Sequence, residues 1–483
     1  MRYKRILLVS PPSSSYLGAA RPPQNLGYLA RALLDRHIEY DILDMRLGYG
    51  EKDLDRKISA FGPDLIGVTM VSLEYIRTYR MIERIRDNHP EISVVAGGPH
   101  VSVLRQQVLE ECSAIDYGVL HEGEKSLVAL CEGNDNIERI PDLLWRRGDD
   151  IAVNPPSALD RMLDDIAFPT YEKFELEKYI REMPFNSSRG CPYQCVFCPN
   201  KMMTGQFRWR SAGHVVDEIE YWYGRGYRIF NYDDDNFTLR NDRVYEICDE
   251  IERRGIREAE FRCSNGVRAD RVDEALLRRM KEVGFHYIAF GVDGGNDRML
   301  RINKKGETLA QIENAIHAAC GLGYDVKIFV ITCMPYETEQ DVEDSLRLVQ
   351  KYPVQRVILN NPIPYPGTEL FDIVRTNGWF IKQPEDYLNH VTENENEPVF
   401  ETPELSREDR VRIIRKCRKI EKKVTREAVQ RMYRRFRPLN RLAGYLFATD
   451  WMQHLFFENM AFRRSIEKIR HRRMLRHQQS VAS

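Results

Sequence analysis

The sequence of 483 residues has no run of eighteen consecutive apolar residues, so it predicts no membrane-spanning helix. Its first apolar run, residues 6–9, is too short for the hydrophobic part of a signal peptide, and we expect a cytoplasmic protein. Charge of one sign is not in excess, since 72 Lys and Arg residues stand against 73 Asp and Glu residues. This balance argues against nucleic acid as a partner. The length predicts two or three domains.

Cysteine is present, but not in a pattern typical of a disulfide framework. Without a signal peptide, the ten cysteines are expected to stay reduced. Seven stand singly along the chain, which is typical of small buried side chains. The other three, Cys191, Cys195 and Cys198, fall within eight residues and need a chemical explanation.

Residues 1–130 alternate short apolar runs with amphipathic stretches. The predicted strands are Arg5–Ser10, Tyr40–Asp44, Leu65–Met70, Ser93–Ala96 and Asp116–Leu120, and the predicted helices include Gln24–Asp35, Leu73–Asp87 and Val103–Glu111. Alternation at this pitch predicts a parallel, doubly wound sheet. Such a sheet binds ligands beyond the carboxyl ends of its strands, where polar residues and glycines of this chain fall.

A second series of strands and helices begins near residue 186. Its predicted strands are Phe185–Ser188, Arg228–Tyr232, Ala259–Ser264, His286–Phe290, Val326–Ile331 and Arg356–Asn360. Six units with polar residues recurring at strand ends predict a partial (β/α) barrel. The proline-bearing segment between the two series is predicted to be a linker with a small hairpin around residues 145–151. After about Trp379 the strand signal fades and helices are expected.

The three clustered cysteines lie on one predicted loop, as Cys191-Pro-Tyr-Gln-Cys195-Val-Phe-Cys198. Three thiolates at this spacing can ligate three irons of a cubane and leave the fourth iron without a protein ligand. Ferredoxins fill that position with another cysteine. A zinc site is the alternative, but zinc normally takes four Cys or His ligands in paired spacings, and no second pair follows nearby. The pattern favours an iron–sulfur cluster.

This CxxxCxxC spacing, with the aromatic Phe197 before its last cysteine, resembles the signature of the radical S-adenosylmethionine (radical SAM) enzymes. Further motifs that resemble the family follow in the expected order, at residues 231–237, 262–268, 291–295, 300–304, 334–338 and 364–370. The resemblance implies a [4Fe–4S] cluster on the three cysteines, whose open iron binds the amino and carboxylate groups of S-adenosylmethionine (AdoMet). It also implies AdoMet contacts from the following residues: Phe197, Asp234, Asp235, Asn265 and Asp293.

Three positions depart from the family pattern. Asp293 stands where relatives usually carry a glutamate, which is longer by one methylene. Cys333 and Tyr336 stand where glycines are common, so we expect the backbone to approach AdoMet differently there.

The first 130 residues resemble the cobalamin-binding domain that is fused to many radical SAM enzymes. The resemblance rests on the segments 6–12, 95–100 and 121–124, and it implies that cobalamin contacts Asp44, Ser72, Gly97 and Gly98. Cobalamin proteins of another type ligate cobalt with the histidine of Asp-x-His-x-x-Gly, but here Arg46 takes its place. A guanidinium stays protonated in proteins and cannot ligate cobalt. His100 and His121 are possible substitutes, although loop capping is the favoured role for both.

Pattern and resemblance together predict an α/β protein with four segments. These are a Rossmann-like cobalamin-binding domain (1–135), a linker (136–180), a partial (β/α)6 radical SAM barrel (181–385) and a mainly helical carboxyl-terminal region (386–483).

The resemblance implies an enzyme that cleaves AdoMet reductively and functionalises an unactivated carbon, with a [4Fe–4S] cluster, AdoMet and cobalamin as cofactors. Cobalamin-dependent C-methylation is the favoured reaction, and radical cyclisation or ring rearrangement without methyl transfer is the alternative. An electron-transfer or cobalamin-sensing protein is the alternative from another class, which formation of 5′-deoxyadenosine would eliminate. The expected partners are a small-molecule or lipid substrate and an external one-electron reductant such as flavodoxin or ferredoxin.

A general acid or base is expected among five residues, between which the sequence does not choose: Tyr193, Tyr232, Asp233, Cys263 and Tyr365.

The carboxyl-terminal segment is basic, with thirteen Lys or Arg residues against four acidic ones after Thr425. Within it, residues 442–457 are rich in aromatic side chains. The favoured interpretation is an apolar helix packed on the barrel with a solvated basic tail. The alternative is a helix lying at the inner membrane surface, which would make the protein peripheral there.

Overall fold

The computed structural model describes residues 1–13, 21–133, 136–159, 162–390 and 397–432, together with 444–447, 449 and 451–452. Its strands are β1 Arg5–Ser10, β2 Glu39–Asp44, β3 Leu65–Thr69, β4 Ser93–Gly97, β5 Tyr117–Val119, β6 Leu143–Arg147, β7 Asp150–Val153, β8 Met183–Phe185, β9 Ser188–Arg189, β10 Arg208–Trp209, β11 Ile229–Tyr232, β12 Glu260–Val267, β13 Phe285–Gly291, β14 Asp325–Ile331 and β15 Arg356–Asn360.

The helices follow in the same order along the chain. They are α1 Gln24–Asp35, α2 Glu51–Phe61, α3 Tyr75–Asn88, α4 Pro99–Leu104, α5 Gln106–Glu111, α6 Glu124–Glu132, α7 Asn200–Met203, α8 Ala212–Gly224, α9 Asn241–Arg253, α10 Glu274–Glu282, α11 Asp297–Ile302, α12 Leu309–Gly321, α13 Glu339–Lys351, α14 Glu369–Thr376, α15 Pro384–Tyr387 and α16 Arg407–Met432.

The amino-terminal sheet has the strand order β2-β1-β3-β4-β5-β6-β7, with the first five strands parallel. Its central strands are short apolar runs, which is typical of a parallel sheet covered on both faces by helices. The hairpin expected in the linker belongs to this sheet, because β6 pairs antiparallel with β5 and β7 pairs with β6. Leu143 and Leu144 are fully buried against it, so the sheet extends to Val153.

The helix predicted over residues 103–111 is two short helices in the structure. Helix α4 begins at Pro99, directly after Gly98, and ends where Arg105 adopts a φ of 55°. Helix α5 starts at the next residue. The break turns the chain between the two helices, and the apolar pattern did not reveal it.

The second sheet has the strand order β15-β14-β13-β12-β11-β8, and all its neighbours are parallel. Six parallel strands with intervening helices agree with the predicted partial barrel. The strand predicted over 185–188 is divided: β8 joins the barrel sheet, whereas β9 pairs antiparallel with β10. The outer face of the sheet is an aromatic core in which Phe230, Phe261 and Phe285 are fully buried.

Helix α16 packs along β15 and against α13 at the side of the barrel. Its Arg410 is fully buried and donates from Nη1 to the Cys333 carbonyl oxygen at 2.7 Å. The aromatic segment 442–457 lies mostly outside the described residues, so the interpretation of that segment stays a prediction. Among the described helices, none combines the length and apolar character needed to cross a bilayer.

Candidate active site between the two sheets

A cleft of about 390 Å³ lies between the carboxyl ends of the strands of both sheets. The amino-terminal sheet contributes Thr69, Gly97 and Gly98, and the barrel contributes Asp233 and Asp235. A cavity of this size is in the range of small-molecule and cofactor sites. The location follows from the topology, because parallel sheets bind ligands at this edge.

The loop of three cysteines begins beside this cleft, directly after β9. Gly190 has a φ of 88°, and a Cβ there would collide with the Gln206 carbonyl oxygen, so only glycine fits. Its N–H donates to Asp235 Oδ2 at 2.8 Å. Arg189, immediately before it, lines the cleft. The start of the cysteine loop is therefore fixed by backbone geometry and by the strand end of β11.

The three thiols are half-buried, and burial raises the pKa of each of them. The pKa of Cys195 rises to about 11, with the ammonium of Lys305 opposing the rise. Among the described residues, no three Cys, His, Asp or Glu side chains converge on a position for a single metal ion. A cubane does not need such convergence, since each thiolate binds a different iron.

The aspartates after β11 have different surroundings, although the sequence assigned Asp234 and Asp235 the same role. Asp234 is 2% exposed and accepts hydrogen bonds from the Ser187 N–H at 3.1 Å, the Ser187 hydroxyl at 2.8 Å and the Ser188 hydroxyl. Asp235 is exposed to the cleft. The carboxylate of Asp234 therefore binds the β8–β9 connection, and that of Asp235 is accessible to a ligand.

The remaining residues predicted to contact AdoMet surround the same strand ends. Asn265 donates from Nδ2 to the Asp234 carbonyl oxygen at 3.0 Å. Asp293, with a φ of 54°, accepts from Lys305 Nζ at 3.0 Å. Phe197 is half-buried and packs against the apolar core. Lys305 carries the charge beside Cys195. It was not predicted as a site residue, although it directly follows the motif at residues 300–304.

Cys333 and Tyr336 both adopt left-handed backbone conformations, with φ of 65° and 64°. Glycines are common at these two positions in the radical SAM enzymes that the sequence resembles. The backbone path thus has the form that favours glycine, at a cost of about 1–2 kcal/mol for each side chain.

Only part of the predicted cobalamin-contacting set lies at the cleft. Gly97 and Gly98 line it. Gly98 has a φ of 101°, and a Cβ there would come within 2.8 Å of the Met70 carbonyl oxygen. Asp44 instead pairs with Arg46 at 2.7 Å and accepts from the Tyr179 hydroxyl at 2.9 Å. Ser72 hydrogen-bonds His100 at 3.2 Å. Neither Asp44 nor Ser72 borders the cleft, because their side chains form contacts inside the domain.

The two histidines weighed as cobalt ligands also differ. His100 is fully buried beside Tyr75 and Tyr79, and burial lowers its pKa to about 4. His121 lines the cleft and holds Asp142 through Nδ1 at 2.8 Å. Its φ of 54° places it in a turn.

A network of charges joins the two domains at the cleft. Arg189 pairs with Glu122 at 2.9 Å and with Glu124 at 2.8 Å, and Arg208 pairs with Glu122 as well. The Arg189 guanidinium also lies 4.6 Å from the ring centroid of Tyr28. Glu122 and Glu124 of the first domain therefore contact Arg189 at the start of the cysteine loop. The sequence of neither segment predicts this contact.

Of the five acid–base candidates, Asp233 alone lines the cleft within the described chain. Burial raises its pKa to about 6, and Arg21 opposes the rise. Tyr232 and Cys263 are buried on the outer face of the barrel, where Tyr232 packs on Phe237 and Phe285. Tyr193 lies under Arg268, 3.4 Å from its guanidinium, and Tyr365 packs in the apolar core.

Comparison with known proteins agrees with this division of the chain. The family model of the radical SAM superfamily matches residues 185–349, and that of the B12 binding domain matches residues 17–131. The chain belongs to the radical SAM enzymes with an amino-terminal cobalamin-binding domain.

Two curated relatives of this radical SAM enzyme differ in the reaction that their names give. An uncharacterized methyltransferase of Pyrococcus horikoshii is 29% identical, over 86% of this chain and 92% of its own length. An anaerobic magnesium-protoporphyrin IX monomethyl ester cyclase of Cereibacter sphaeroides is 26% identical, over 77% of this chain and 64% of its own.

The fold of this radical SAM enzyme is also seen in a solved structure. The methyltransferase TsrM of Kitasatospora setae, with cobalamin and a [4Fe–4S] cluster bound, matches with a TM-score of 0.67 and 19% identity. The match covers 79% of this chain and 76% of that one. At this identity the match shows the fold.

The cofactors of this radical SAM enzyme are a [4Fe–4S] cluster, AdoMet and cobalamin. The residues fit a group beside Cys191. Asn236 is 1% exposed and its amide lies at the Cys191 thiol, and neither its nitrogen nor its oxygen has another hydrogen-bond partner among the described residues. Buried amides normally have hydrogen-bond partners, so the Asn236 amide suits a bound group that would supply them. Gly97 and Gly98 border the cleft at the carboxyl end of β4 and present only backbone atoms to it.

Proposed function

We propose that this enzyme cleaves AdoMet reductively at a cluster on Cys191, Cys195 and Cys198 and methylates an unactivated carbon in a cobalamin-dependent reaction. The observation that supports it is the single cleft bordered by Gly97 and Gly98 on one side and by Arg189 and Asp235 on the other. When bound, the cofactors would supply the radical and the methyl group, chemistry that acid–base side chains lack. The protein must hold both cofactors at one substrate carbon.

The chain's own residues provide the positioning. Gly190 and Asp235 fix the start of the cysteine loop. We propose that the accessible Asp235 receives the amino group of AdoMet, while Asp234 positions the β8–β9 connection. Asn265, Asp293 and Phe197 complete the proposed AdoMet contacts.

Two further residues serve the cleft in this proposal. Asp233, with its raised pKa, is the group that can hold or accept a proton at the cleft. Arg189 ties the cysteine loop to the cobalamin-binding domain.

Radical cyclisation or rearrangement without methyl transfer is the second candidate. It is favoured by the cyclase relative, which matches 77% of this chain. The two reactions differ in their use of AdoMet. Methylation consumes a second AdoMet to restore the methyl group, and this yields S-adenosylhomocysteine.

Outside the cleft, we propose a small-molecule or lipid substrate and an external one-electron donor such as flavodoxin or ferredoxin. A cytoplasmic location fits such donors. Contact with the inner membrane surface stays a prediction for the basic carboxyl-terminal segment.

The test begins with protein reconstituted anaerobically with iron, sulfide and hydroxocobalamin and then desalted. Its absorption spectrum should show retained cobalamin together with a broad thiolate-to-iron band. With AdoMet and a strong reductant it should form both 5′-deoxyadenosine and S-adenosylhomocysteine.

Cys195→Ala is expected to lose 5′-deoxyadenosine formation and keep cobalamin, whereas Cys320→Ala, remote from the loop, should behave as wild type. Formation of 5′-deoxyadenosine without S-adenosylhomocysteine would favour the cyclase reaction. Protein that retains the cluster but no cobalamin would overturn the methylation proposal.

A further inference from the structure

The inner face of the barrel is accessible, unlike its outer face. Along β14, Val326, Ile328 and Val330 are at most 1% exposed under the helices, whereas the alternate residues, among them Lys327 and Phe329, are only partly buried. Residues of a strand alternate between the two faces. The partly buried set therefore lines the barrel lumen, which a complete eight-stranded barrel would fill with side chains.

Like charges face each other in this lumen. Lys327 of β14 and Arg356 of β15 are direct partners in the parallel register. Burial lowers the pKa of Lys327 to about 8, and the charges of Arg356 and of Arg21, from the amino-terminal domain, lower it in the same direction. Like charges directly across two strands destabilise a sheet unless an opposite charge lies between them.

No carboxylate of the described chain pairs with Lys327. Its Nζ has neither an ion pair nor a hydrogen bond among the described residues and lies 4.0 Å from the ring centroid of Phe329. The nearby carboxylates have other partners. Glu182 is shared by Arg21 at 3.2 Å and Arg262 at 2.9 Å, and Asp233 also contacts Arg21 at 3.3 Å.

Arg21 links this pair of cations to the rim of the cleft. Asp233, which contacts Arg21, also accepts from Gln24 Nε2 at 3.1 Å, and both Gln24 and Asp233 line the cleft. Lys327 and the cleft beside the cysteine loop are therefore joined through Arg21 and Asp233.

We propose that Lys327 and Arg356 bind an oxyanion of the substrate, a phosphoryl, phosphonyl or carboxylate group, inside the barrel lumen. This rests on the proposed function in placing the reacting carbon at the cleft. The unpaired ammonium and the neighbouring guanidinium together supply the directed donors that such a group requires. The substrate is thus an anionic small molecule held by its charged end, with its reacting carbon turned towards the cofactors.

The test is a calorimetric titration of the reconstituted protein with inorganic phosphate and, separately, with acetate. AdoMet and hydroxocobalamin are present at saturation, so that neither the AdoMet carboxylate nor the cobalamin phosphate can be the anion measured. Wild type should bind one of the probes at a single saturable site, and the preferred probe separates a phosphoryl or phosphonyl group from a carboxylate.

Lys327→Gln and Arg356→Gln should each weaken that binding about tenfold, as expected for loss of a charged hydrogen bond. Lys327→Arg keeps the charge and should retain binding, and this separates charge from folding. Lys351→Gln removes an exposed lysine of α13 that pairs with Glu313, and it should change nothing.

Wild type that binds neither probe saturably, or Lys327→Gln and Arg356→Gln that bind as wild type, would overturn the anion site. Cobalamin retention and 5′-deoxyadenosine formation are measured on the same samples. Their loss in wild type would count against the proposed function, while the phosphate titration would still report on the lumen.

Discussion

At the scale of single residues, the adjacent Asp234 and Asp235 have different expected roles: Asp234 stabilises the fold and Asp235 binds the ligand. We expect Asp234→Asn to destabilise the protein by about 2 kcal/mol, because a buried charged acceptor of several hydrogen bonds is lost. Asp235→Asn should keep the melting temperature, since an amide oxygen can still accept from the Gly190 N–H, and should weaken AdoMet binding about tenfold. Thermal denaturation and equilibrium dialysis with AdoMet measure the two effects.

Each of these variants serves as the control for the other, since both remove one carboxylate from the same turn. Equal losses of stability, or unchanged AdoMet affinity in Asp235→Asn, would contradict the division of roles. The sequence motif alone could not make this distinction, because the partners of Asp234 are Ser187 and Ser188, more than forty positions away.

Asp233 gives a prediction about pH. Burial raises its pKa from an ordinary value near 3.8 to about 6, so the folded protein binds this proton more tightly than the unfolded chain. Wild type therefore loses stability relative to Asp233→Asn as the pH rises from about 4 to about 6, by roughly 3 kcal/mol at most. Melting temperatures of both proteins between pH 4.5 and 7.5 should show a growing advantage of the variant that levels off above pH 7. Parallel curves would rule out a raised pKa.

At the scale of elements, apolar patterning predicted most of the framework. The strand Arg5–Ser10 and the helix Gln24–Asp35 have the predicted bounds, because continuous apolar runs and amphipathic periodicity are local signals. The division of residues 183–189 into β8 and β9 was not predicted, since it depends on the long-range contact of Asp234 with Ser187. The sequence predicted the hairpin β6–β7, but it did not predict the pairing of β6 with β5, which is a tertiary contact.

Helix α16 depends on one buried cation. Arg410→Met should destabilise the packing of this helix by about 2–4 kcal/mol, because it leaves buried acceptors such as the Cys333 carbonyl oxygen without a donor. Faster hydrogen exchange over residues 407–432 would report it. Arg412→Met is the matched control, since Arg412 is 59% exposed and pairs at the surface with Glu339, where the effect should stay below about 0.5 kcal/mol. Similar exchange in both variants would contradict the assigned role of Arg410.

At the scale of the whole molecule, the site exists only where the two sheets meet. The sequence motifs of each domain were predicted to lie at the carboxyl ends of the strands of that domain's sheet, because topology places these ends at one edge of a parallel sheet. The contact between the sets was not predicted, because neither Glu122 nor Arg189 carries a local signal for its partner. The same holds for Arg21, which reaches from the first domain to Glu182 of the barrel.

Glu122 is the carboxylate on which this assembly depends most. Two arginines of the barrel share it, and the side chains of Arg189 and Arg208 are only 12% and 3% exposed. Glu122→Gln therefore leaves the buried charge of Arg208 without its carboxylate, while Arg189 keeps Glu124. Breaking such a pair from one side costs about 3–5 kcal/mol. We therefore expect calorimetry to resolve separate melting of the two domains and desalted protein to retain less cobalamin, while cluster content stays unchanged. Glu110→Gln on the exposed side of α5 is the control. A Glu122→Gln protein that melts in one wild-type transition and retains full cobalamin would mean that apolar packing, and not this ion network, holds the cleft together.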